Sequence, residues 1–426
     1  MKRKIVALFV LITLLFTGCE LSSGENIIIE KSSFKENAAL VYWKSFPFFK
    51  TQMGFINTEG KVYCTLPEGY QYRGNDGGYS LDGYFFGNGT SEQTKGQFIL
   101  GQMDGTITYQ SPENKNYIVR AGGNGAFLVE NPVRNITTSH SVYGLIDANG
   151  NWIIEPNVVG KTIENAEVSY AYHGEGIFSV DYTGYKVGSG YNYHILFSST
   201  TGSVTEIENV TISSDFINGI AIGSVGTYGD CCLIRSNGTI EDFSVDTTHW
   251  MNTYGENLLF IWDSYDQKGH FFVYDVNGNV LLDSSQIYPE YTFWRSNFSA
   301  YGGYTFQDGY AAVLIAGADG KTYLTAISKE TMRFSFEPIC VTLIYPYICN
   351  NSALVRLADK ELALIQLTDG SIKELNIPLE LAFNKDSGDF VDTRKYGFLF
   401  DKVIVDNDSS NAELYNWDGD AIPISK

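Results

Sequence analysis

Short apolar segments alternate with polar turns along almost the whole chain. The apolar segments are rich in Ile, Val, Phe and Tyr, which is typical of β-strands. Pairs of these segments enclose a tight turn in which Asp or Asn is followed closely by Gly. Glycine adopts a positive φ without strain, and such turns therefore favour β-hairpins. The pattern predicts an all-β fold built from hairpins.

The hairpins recur at a regular interval. A ninth turn, near Thr331, lacks the glycine that marks the other eight. From the first turn to the last, the spacing averages about 45 residues, which is the size of one β-propeller blade. The turn glycines are Gly60, Gly105, Gly150, Gly202, Gly238, Gly278, Gly370 and Gly419.

Each hairpin also has an apolar strand upstream, and a fourth strand fits the linking segments, such as residues 167–172. Three or four antiparallel strands per unit predict a β-propeller of about 8–9 blades, with an open β-solenoid or paired sandwiches as the alternatives. The predicted upstream strands are residues 39–42, 84–86, 126–129, 177–180, 220–222, 258–261, 311–315, 353–355 and 398–400.

The two ends of the repeat region suggest how a ring would close. Residues 27–30 (IIIE) form an extra strand at the start, and the last hairpin, residues 412–424, is as apolar as the internal ones. A ring in which the first strand completes the last blade would account for both features. Composition is even from residue 27 onward, so we expect one repeat domain over residues 27–426.

One unit carries a family resemblance. YGLIDANGNWIIEP at residues 143–156, followed by GEGIFSV, resembles the bacterial WG-repeat (KWG) pattern. Residues 53–57 and 306–311 match it less fully, Tyr143 or Met53 stands where the motif has Trp, and most units lack its Pro. The resemblance implies a divergent WG-repeat lipoprotein whose β-repeats bind or scaffold, with no catalytic residues to carry over.

The pattern at the start of the chain is typical of an export signal. Residues 1–18 have a basic beginning, an apolar run from Ile5 to Phe16 and a small-residue end. The run is about 18 Å long as a helix, too short to span a bilayer permanently. Phe16, Thr17 and Gly18 before Cys19 resemble the lipobox of bacterial lipoproteins, in which the cysteine sulfur is acylated. An ordinary cleaved secretory peptide is the alternative.

Residues 19–26 then form a lipidated, flexible tether, and the mature chain is expected on the extracytoplasmic face of the cell membrane or the outer membrane. The formal net charge is −20, and loss of the three basic residues at the start makes it −23. A strongly acidic body is repelled by nucleic acid and by anionic headgroups. Membrane contact is therefore expected through the anchor alone.

The remaining cysteines do not form a disulfide framework. Five are left after Cys19, at irregular spacing. Cys340 and Cys349 flank a Tyr-Pro-Tyr segment, interpreted as a turn across which they could pair. Adjacent Cys231 and Cys232 are expected to pack as apolar residues on the two faces of a strand.

Recognisable catalytic, metal and cofactor motifs are lacking. The five histidines have no metal-ligand spacing, and neither a GxSxG motif nor a P-loop is present. Asp147 and Asp275 partly resemble calcium-loop residues, but we interpret them as bonding to their own turn backbone. His173 is expected to be hydrogen-bonded or at the surface.

Aromatic residues in the longer linking segments are the candidate ligand-binding positions. Such rings stack on sugars, although they also fill the interfaces between blades, and packing is the more common role. The candidates are Trp250, Trp262, Trp294, Tyr301 and Tyr304. The sequence thus predicts a membrane-anchored, non-catalytic module that binds a protein, peptide or polysaccharide. A lipid-anchored carbohydrate-active hydrolase or lyase is the alternative.

Overall fold

A computed structural model gives the architecture of the chain. It describes residues 28–29, 38–45, 50–57, 59–71, 83–102, 104–113, 115–134, 139–161, 166–186, 189–225, 230–242, 249–263, 268–294, 304–349, 351–357, 362–375, 381–383, 390–392, 394–399, 402–407, 412–416 and 420–423. The lipobox and Cys19 lie outside these residues.

The first three sheets each contain four consecutive antiparallel strands. Sheet 1 contains β1 (Ile28–Ile29), β2 (Ala38–Ser45), β3 (Lys50–Asn57) and β4 (Val62–Thr65). Sheet 2 contains β5 (Tyr70–Gln71), β6 (Tyr84–Gly89), β7 (Phe98–Gln102) and β8 (Ile107–Gln110). Sheet 3 contains β9 (Ile118–Gly123), β10 (Ala126–Arg134), β11 (Ser139–Asp147) and β12 (Trp152–Val159).

Sheets 4 to 6 repeat this order. Sheet 4 contains β13 (Glu167–Tyr172), β14 (Ile177–Lys186), β15 (Ser189–Ser198) and β16 (Val204–Glu208). Sheet 5 contains β17 (Val210–Ile212), β18 (Ile220–Val225), β19 (Asp230–Arg235) and β20 (Ile240–Asp242). Sheet 6 contains β21 (His249–Gly255), β22 (Leu258–Asp263), β23 (Phe271–Asp275) and β24 (Val280–Asp283), followed by the short helix α1 (Ser284–Ile287).

Sheets 7 and 8 are joined into one eight-stranded sheet through β27 and β29. Sheet 7 contains β25 (Thr292–Phe293), β26 (Tyr310–Ala316), β27 (Thr322–Ser328) and β28 (Arg333–Phe334). Sheet 8 contains β29 (Ile339–Cys349), β30 (Ser352–Leu357), β31 (Leu362–Gln366) and β32 (Ile372–Glu374). A small hairpin of β33 (Leu381–Phe383) and β34 (Phe390–Asp392) follows, and sheet 9 contains β35 (Arg394–Leu399), β36 (Lys402–Asn407), β37 (Ala412–Tyr415) and β38 (Ala421–Ile422).

The predicted repeat is confirmed, because all nine predicted hairpins form the third and fourth strands of a unit. Seven of the eight turn glycines have positive φ, and Gly419 lies outside the described residues. Met332 takes the positive φ in the turn without glycine. The predicted segment 167–172 is β13 itself. The ninth upstream strand differs, since residues 398–399 belong to the first strand of sheet 9 and β36 pairs with the hairpin.

Two finer expectations are wrong. Ile28 and Ile29 pair with Tyr42 and Val41 of β2, so the first strand belongs to sheet 1 and does not complete the last blade. Cys340 and Cys349 lie in the same strand, β29, opposite Tyr323 and Ser352. Nine residues of extended chain place their Cα atoms roughly 25–30 Å apart, far beyond disulfide reach. The segment between them bulges within the strand and does not reverse it.

The core lies between successive sheets. In sheets 2 to 8, the second and third strands are nearly continuous in buried residues, mostly Ile, Val, Leu and Phe, because both of their faces are covered by a neighbouring sheet. Between sheets 3 and 4, for example, Leu128 and Leu145 pack with Phe178 and Phe197. Cys232 is fully buried between sheets 4 and 5, as expected for an apolar role.

The sheets form a propeller ring whose last member meets its first. A methyl group placed on the turn glycine of sheet 3, 4 or 5 would lie against the outer strand of the sheet before it, as at Gly238, where it would be 2.1 Å from Thr205. The same relationship links Gly60 of sheet 1 to the end of sheet 9, where the methyl group would be 2.6 Å from the carbonyl oxygen of Pro423. The ring is thus closed by packing between sheets 9 and 1, and the described residues contain no strand shared by these two sheets.

Strand direction defines two faces of the ring. Among the described residues, the connections between first and second strands, and between third and fourth strands, lie on one side, called here the turn face. The described connections between second and third strands, and the described links from one sheet to the next, lie on the other side. We call it the entry face, because the chain enters sheet 1 there at Ile28. First strands of neighbouring sheets contact each other, β9 with β13 and β29 with β35, which places them nearest the centre.

Across the described part of the chain, no helix has the length and apolar character needed to cross a bilayer.

Candidate functional site

The predicted aromatic positions are dispersed in the structure. Trp262 and Tyr304 are 2% and 0% exposed, and their rings contact each other edge to face at 4.7 Å in the core around sheets 6 and 7. Their faces are therefore covered by protein. Trp294 is 45% exposed. Trp250 pairs with Trp262 through the strand backbone, but its side chain, like Tyr301, lies outside the described residues.

Tyr304 has a structural role that its position explains. Its hydroxyl lies 2.8 Å from the Trp294 carbonyl oxygen and 3.1 Å from that of Leu314, and accepts the Leu314 N–H at 3.1 Å. Burial raises the pKa of Tyr304 well above its usual value. The phenol thus ties the segment at Trp294 to β26 as a neutral group.

A charged cluster that the sequence did not indicate lies between sheets 3 and 4. Glu130, on β10, is 6% exposed. Its carboxylate accepts hydrogen bonds from Arg120 Nε at 2.5 Å, from the Ser141 hydroxyl and from the Tyr170 hydroxyl at 3.2 Å. The Arg120 guanidinium also lies 4.9 Å from the centre of the Tyr170 ring. A buried carboxylate with this many donors is fully compensated.

Four tyrosines extend this cluster towards the entry face. Tyr143 and Tyr170 contact at 6.0 Å between ring centres, and Tyr182 and Tyr193 at 5.9 Å. Burial, with the Glu130 charge nearby, raises the pKa of Tyr170 to about 12. The pKa values of Tyr143 and Tyr182 are also raised, mainly by burial. These phenols are therefore neutral hydrogen-bonding groups at physiological pH.

Lys161 covers the cluster where it reaches solvent. Its ammonium lies 5.0 Å from the centre of the Tyr193 ring and 3.0 Å from Glu206 Oε2, while its backbone N–H donates to the Tyr182 hydroxyl at 3.0 Å. Lys161 and Glu206 are both about half exposed. Lys161 thus links Tyr182, Tyr193 and Glu206, and these contacts stabilise the packing between sheets 3 and 4.

A chain of polar side chains crosses the opposite side of sheet 4. His173 Nε2 lies 2.8 Å from the Ser179 hydroxyl, which donates to Asp181 Oδ2 at 2.8 Å. Asp181 Oδ1 lies 2.7 Å from His194 Nδ1, and His194 Nε2 lies 2.6 Å from the Val210 carbonyl oxygen. Both ring nitrogens of His194 thus lie within hydrogen-bond distance of an oxygen atom.

This chain contains Ser, His and Asp but not in the order of a nucleophilic triad. A triad needs the histidine between the serine and the carboxylate, whereas Ser179 here donates directly to Asp181. Ser179 is also completely buried, so no substrate reaches it. The arrangement instead connects sheet 4 to Val210, the first residue of sheet 5. The expectation that His173 is hydrogen-bonded is confirmed.

Asp147 and Asp275 accept hydrogen bonds from the backbone of their own turns, as the sequence predicted. Asp147 Oδ1 accepts the N–H groups of Asn149 and Asn151 at 2.9 and 2.8 Å. Asp275 makes the same pair of bonds in sheet 6, at 2.9 Å each, and its pKa is lowered by the hydrogen bonds from Asn279 and Asn277. Within the described residues, no group of three or more His, Cys, Asp or Glu side chains is placed to hold a metal ion.

Turns of neighbouring sheets are also bonded to each other on the turn face. Glu175 of sheet 4 accepts the N–H groups of Asn218 and Gly219 of sheet 5 at 2.6 and 2.7 Å. Glu256 of sheet 6 accepts the Gly309 N–H of sheet 7 at 2.9 Å and pairs with Lys329 at 3.0 Å. These bonds link the turns of sheet 4 to those of sheet 5, and the turns of sheet 6 to those of sheet 7.

No protein-family model and no curated protein matches this chain. Solved structures similar to it include "The beta-propeller domain of the Trilobed protease from Pyrococcus furiosus" (9% identity, 82% of this chain and 95% of that one, TM-score 0.34). BamB from Moraxella catarrhalis is 12% identical, and the match covers 79% of this chain and 94% of that one with a TM-score of 0.34. The C-terminal WD40 domain of Sif2 is 12% identical, and the match covers 92% of each chain with a TM-score of 0.33. What makes this chain a propeller is the succession of its own nine sheets.

Proposed function

We propose that the chain is an extracytoplasmic lipoprotein whose propeller is a non-catalytic binding or scaffold module for a protein, peptide or glycan. The anchor in this proposal is Cys19, for which the support is the lipobox-like segment from Phe16 to Cys19. The module presents its exposed turns on a rigid frame, a common arrangement for binding loops.

The observation that carries the binding role is the linkage of exposed turns between neighbouring sheets. Glu175 and Glu256 each hold the turn of the next sheet through backbone N–H groups. A surface that is already ordered loses little conformational entropy when a partner binds. The buried Glu130 and Ser179, by contrast, are bonded within the protein, Glu130 to Arg120 and Ser179 to Asp181.

Two measurements test this proposal. Cells that express the chain are fed an alkyne fatty acid, and we expect the label on the wild-type chain and not on the Cys19→Ser variant. The Cys19→Ser form, expressed without acylation, then serves as soluble bait for envelope proteins and cell-wall glycans. A specifically retained partner supports the binding role. An unlabelled wild-type chain contradicts the anchor, and turnover of a glycan with no retained partner contradicts the binding role.

A further inference from the structure

Buried tyrosines cross the width of sheet 4 on the face that packs against sheet 3. Tyr170, Tyr182 and Tyr193 lie on β13, β14 and β15, and Tyr182 and Tyr193 are direct cross-strand partners. Tyr143, on β11 of sheet 3, packs against them with its ring centre 6.0 Å from that of Tyr170. All four side chains are buried. This tyrosine row, as we call it, runs from the first strand of sheet 4, near the centre of the ring, towards the outer strand β16.

The hydroxyl groups of three of these tyrosines are joined by hydrogen bonds that all run in one direction. The Lys161 N–H donates to the Tyr182 hydroxyl at 3.0 Å, and the Tyr170 hydroxyl donates to Glu130 Oε2 at 3.2 Å. Tyr143 is bonded to both Tyr170 and Tyr182. Besides the larger effect of burial, the bond to Tyr170 raises the pKa of Tyr143 and the bond to Tyr182 lowers it. A phenol that donates has its pKa raised and one that accepts has it lowered, so Tyr182 donates to Tyr143, and Tyr143 to Tyr170.

Glu130 is the acceptor at the end of this chain of hydrogen bonds. Its buried carboxylate is also bonded to Arg120 and Ser141, so its position is fixed from several sides. A proton that leaves any of the three phenols can move along the chain, by one transfer at each bond, and stop on Glu130. The path lies inside the protein, and no solvent molecule is needed to carry the proton away.

This arrangement suits the one-electron oxidation of tyrosine. A phenol that loses an electron and keeps its proton becomes a cation, and a buried cation without compensation is costly. Transfer of the proton to Glu130 removes that cost, since the product is a neutral phenoxyl radical. The ring centres are 6.0 Å apart between Tyr143 and Tyr170 and 5.9 Å apart between Tyr182 and Tyr193, so electrons can pass between neighbouring rings.

We propose that the tyrosine row is a redox-active site that holds one oxidising equivalent as a neutral phenoxyl radical on Tyr170. A one-electron oxidant, such as a peroxyl radical, takes one electron from the row, the Tyr170 O–H bond breaks, and the proton forms an O–H bond with Glu130. The products are the reduced oxidant, the Tyr170 radical and a neutral Glu130 carboxyl group. A one-electron reductant such as ascorbate reverses the step, and the proton returns to Tyr170. This activity is separate from the proposed anchor and binding role.

The radical is observed by electron paramagnetic resonance. The purified protein is oxidised by flash photolysis of a ruthenium(II) polypyridyl complex, with a cobalt(III) ammine as the electron acceptor, and is then frozen. We expect a tyrosyl signal in the wild type and loss of most of it in Tyr170→Phe. Tyr304→Phe is the matched control, because Tyr304 is also buried but its hydroxyl lies against backbone carbonyl oxygens, which do not take up a proton as a carboxylate does. A signal that survives Tyr170→Phe, or that falls equally in both variants, overturns the proposal.

Glu130→Gln tests the proton acceptor. The amide keeps the size of the side chain but does not take up the phenolic proton, so we expect the radical to form at least about tenfold more slowly, as when a positioned base is lost. Ser141→Ala removes another hydrogen bond to the same carboxylate and leaves the acceptor in place, so its rate should match the wild type. Near-ultraviolet circular dichroism confirms that each variant is folded. Equal rates in Glu130→Gln and Ser141→Ala would overturn the role of Glu130.

Discussion

Gly60 and Pro423, from opposite ends of the chain, lie in direct contact. A methyl group on Gly60 would be 2.6 Å from the Pro423 carbonyl oxygen and 3.2 Å from a side-chain carbon of Ile422. Because β1 pairs within sheet 1 and β38 within sheet 9, no strand crosses this junction among the described residues. Closure of the ring therefore depends on packing at this point.

Gly60→Ala should destabilise the protein more than the same change in an open turn. Gly60 and Gly105 both have positive φ, at 77° and 93°, so a change to Ala introduces similar backbone strain at both positions. The added methyl meets nothing within 4 Å at Gly105. We expect Gly60→Ala to lower stability by about 1–3 kcal/mol more than Gly105→Ala. Urea unfolding of the two variants measures the difference, and equal midpoints would show that the Gly60–Pro423 contact contributes nothing.

His194 should be strongly coupled to Asp181. His194→Leu leaves the Asp181 carboxylate, 13% exposed, without its ring partner and the Val210 carbonyl oxygen without a donor. We expect a loss of about 2–4 kcal/mol, typical of breaking one side of a buried pair. The double variant with Asp181→Leu should recover part of this loss. Purely additive changes in the cycle would mean that the pair does not interact.

Stability should fall steeply in alkaline solution. The pKa of Tyr170 is about 12 in the folded chain, against 10 for an unperturbed tyrosine. Because this pKa is raised on folding, the protonated Tyr170 contributes fully to the free energy of unfolding below pH 10. This contribution is lost as the pH rises towards 12, since the unfolded chain releases the proton first. Each such group removes up to about 1.4 kcal/mol per pH unit in this window.

Tyrosinate absorbance and urea unfolding, followed together, measure this effect. Tyr170→Phe should give a shallower loss of stability with pH, because it removes one titrating phenol. An absorbance titration in which all tyrosines ionise near pH 10 while the chain stays folded would contradict the raised pKa of Tyr170.

Cys64 should resist alkylation in the native protein. Burial, with a smaller contribution from the Asp104 charge, raises the pKa of the thiol to about 12, and the residue is 1% exposed. Thiolate is the reactive form, so iodoacetamide at neutral pH should modify Cys64 after unfolding and not before. Peptide mass spectrometry reads the site directly. Rapid native labelling would show that β4 opens readily.

The repeat was predictable because its signals are local. The residues that specify a turn such as 147–151 lie within the turn itself: an Asp that accepts hydrogen bonds from the turn backbone and a glycine at positive φ. Five other units share this arrangement, with an Asp or Asn cap and a glycine at Gly60, Gly105, Gly238, Gly278 and Gly370. The short apolar segments on either side of each turn then define the strands, so nine units could be counted without coordinates.

Contacts between sheets were not predictable, because their members lie far apart in sequence. Glu130 and Tyr170 are brought together only when sheet 4 packs on sheet 3. The available signal was weak: a charged residue inside an apolar strand, such as Glu130 in AFLVENPVR. The turn predicted at Pro346 was wrong for a different reason. Pro346 lies between the paired residues Ile344 and Ile348, where a bulge in the strand accommodates a residue without an N–H.

Each blade is encoded by one uninterrupted stretch of chain, a consequence of Ile28 and Ile29 pairing inside sheet 1. Circular permutation would exploit this property. New termini placed in a link between blades, with the old ones joined by a flexible peptide, would leave every hydrogen-bonded ladder whole. We therefore expect that any of the nine blades can come first in the sequence without a change in the arrangement of the blades in the ring.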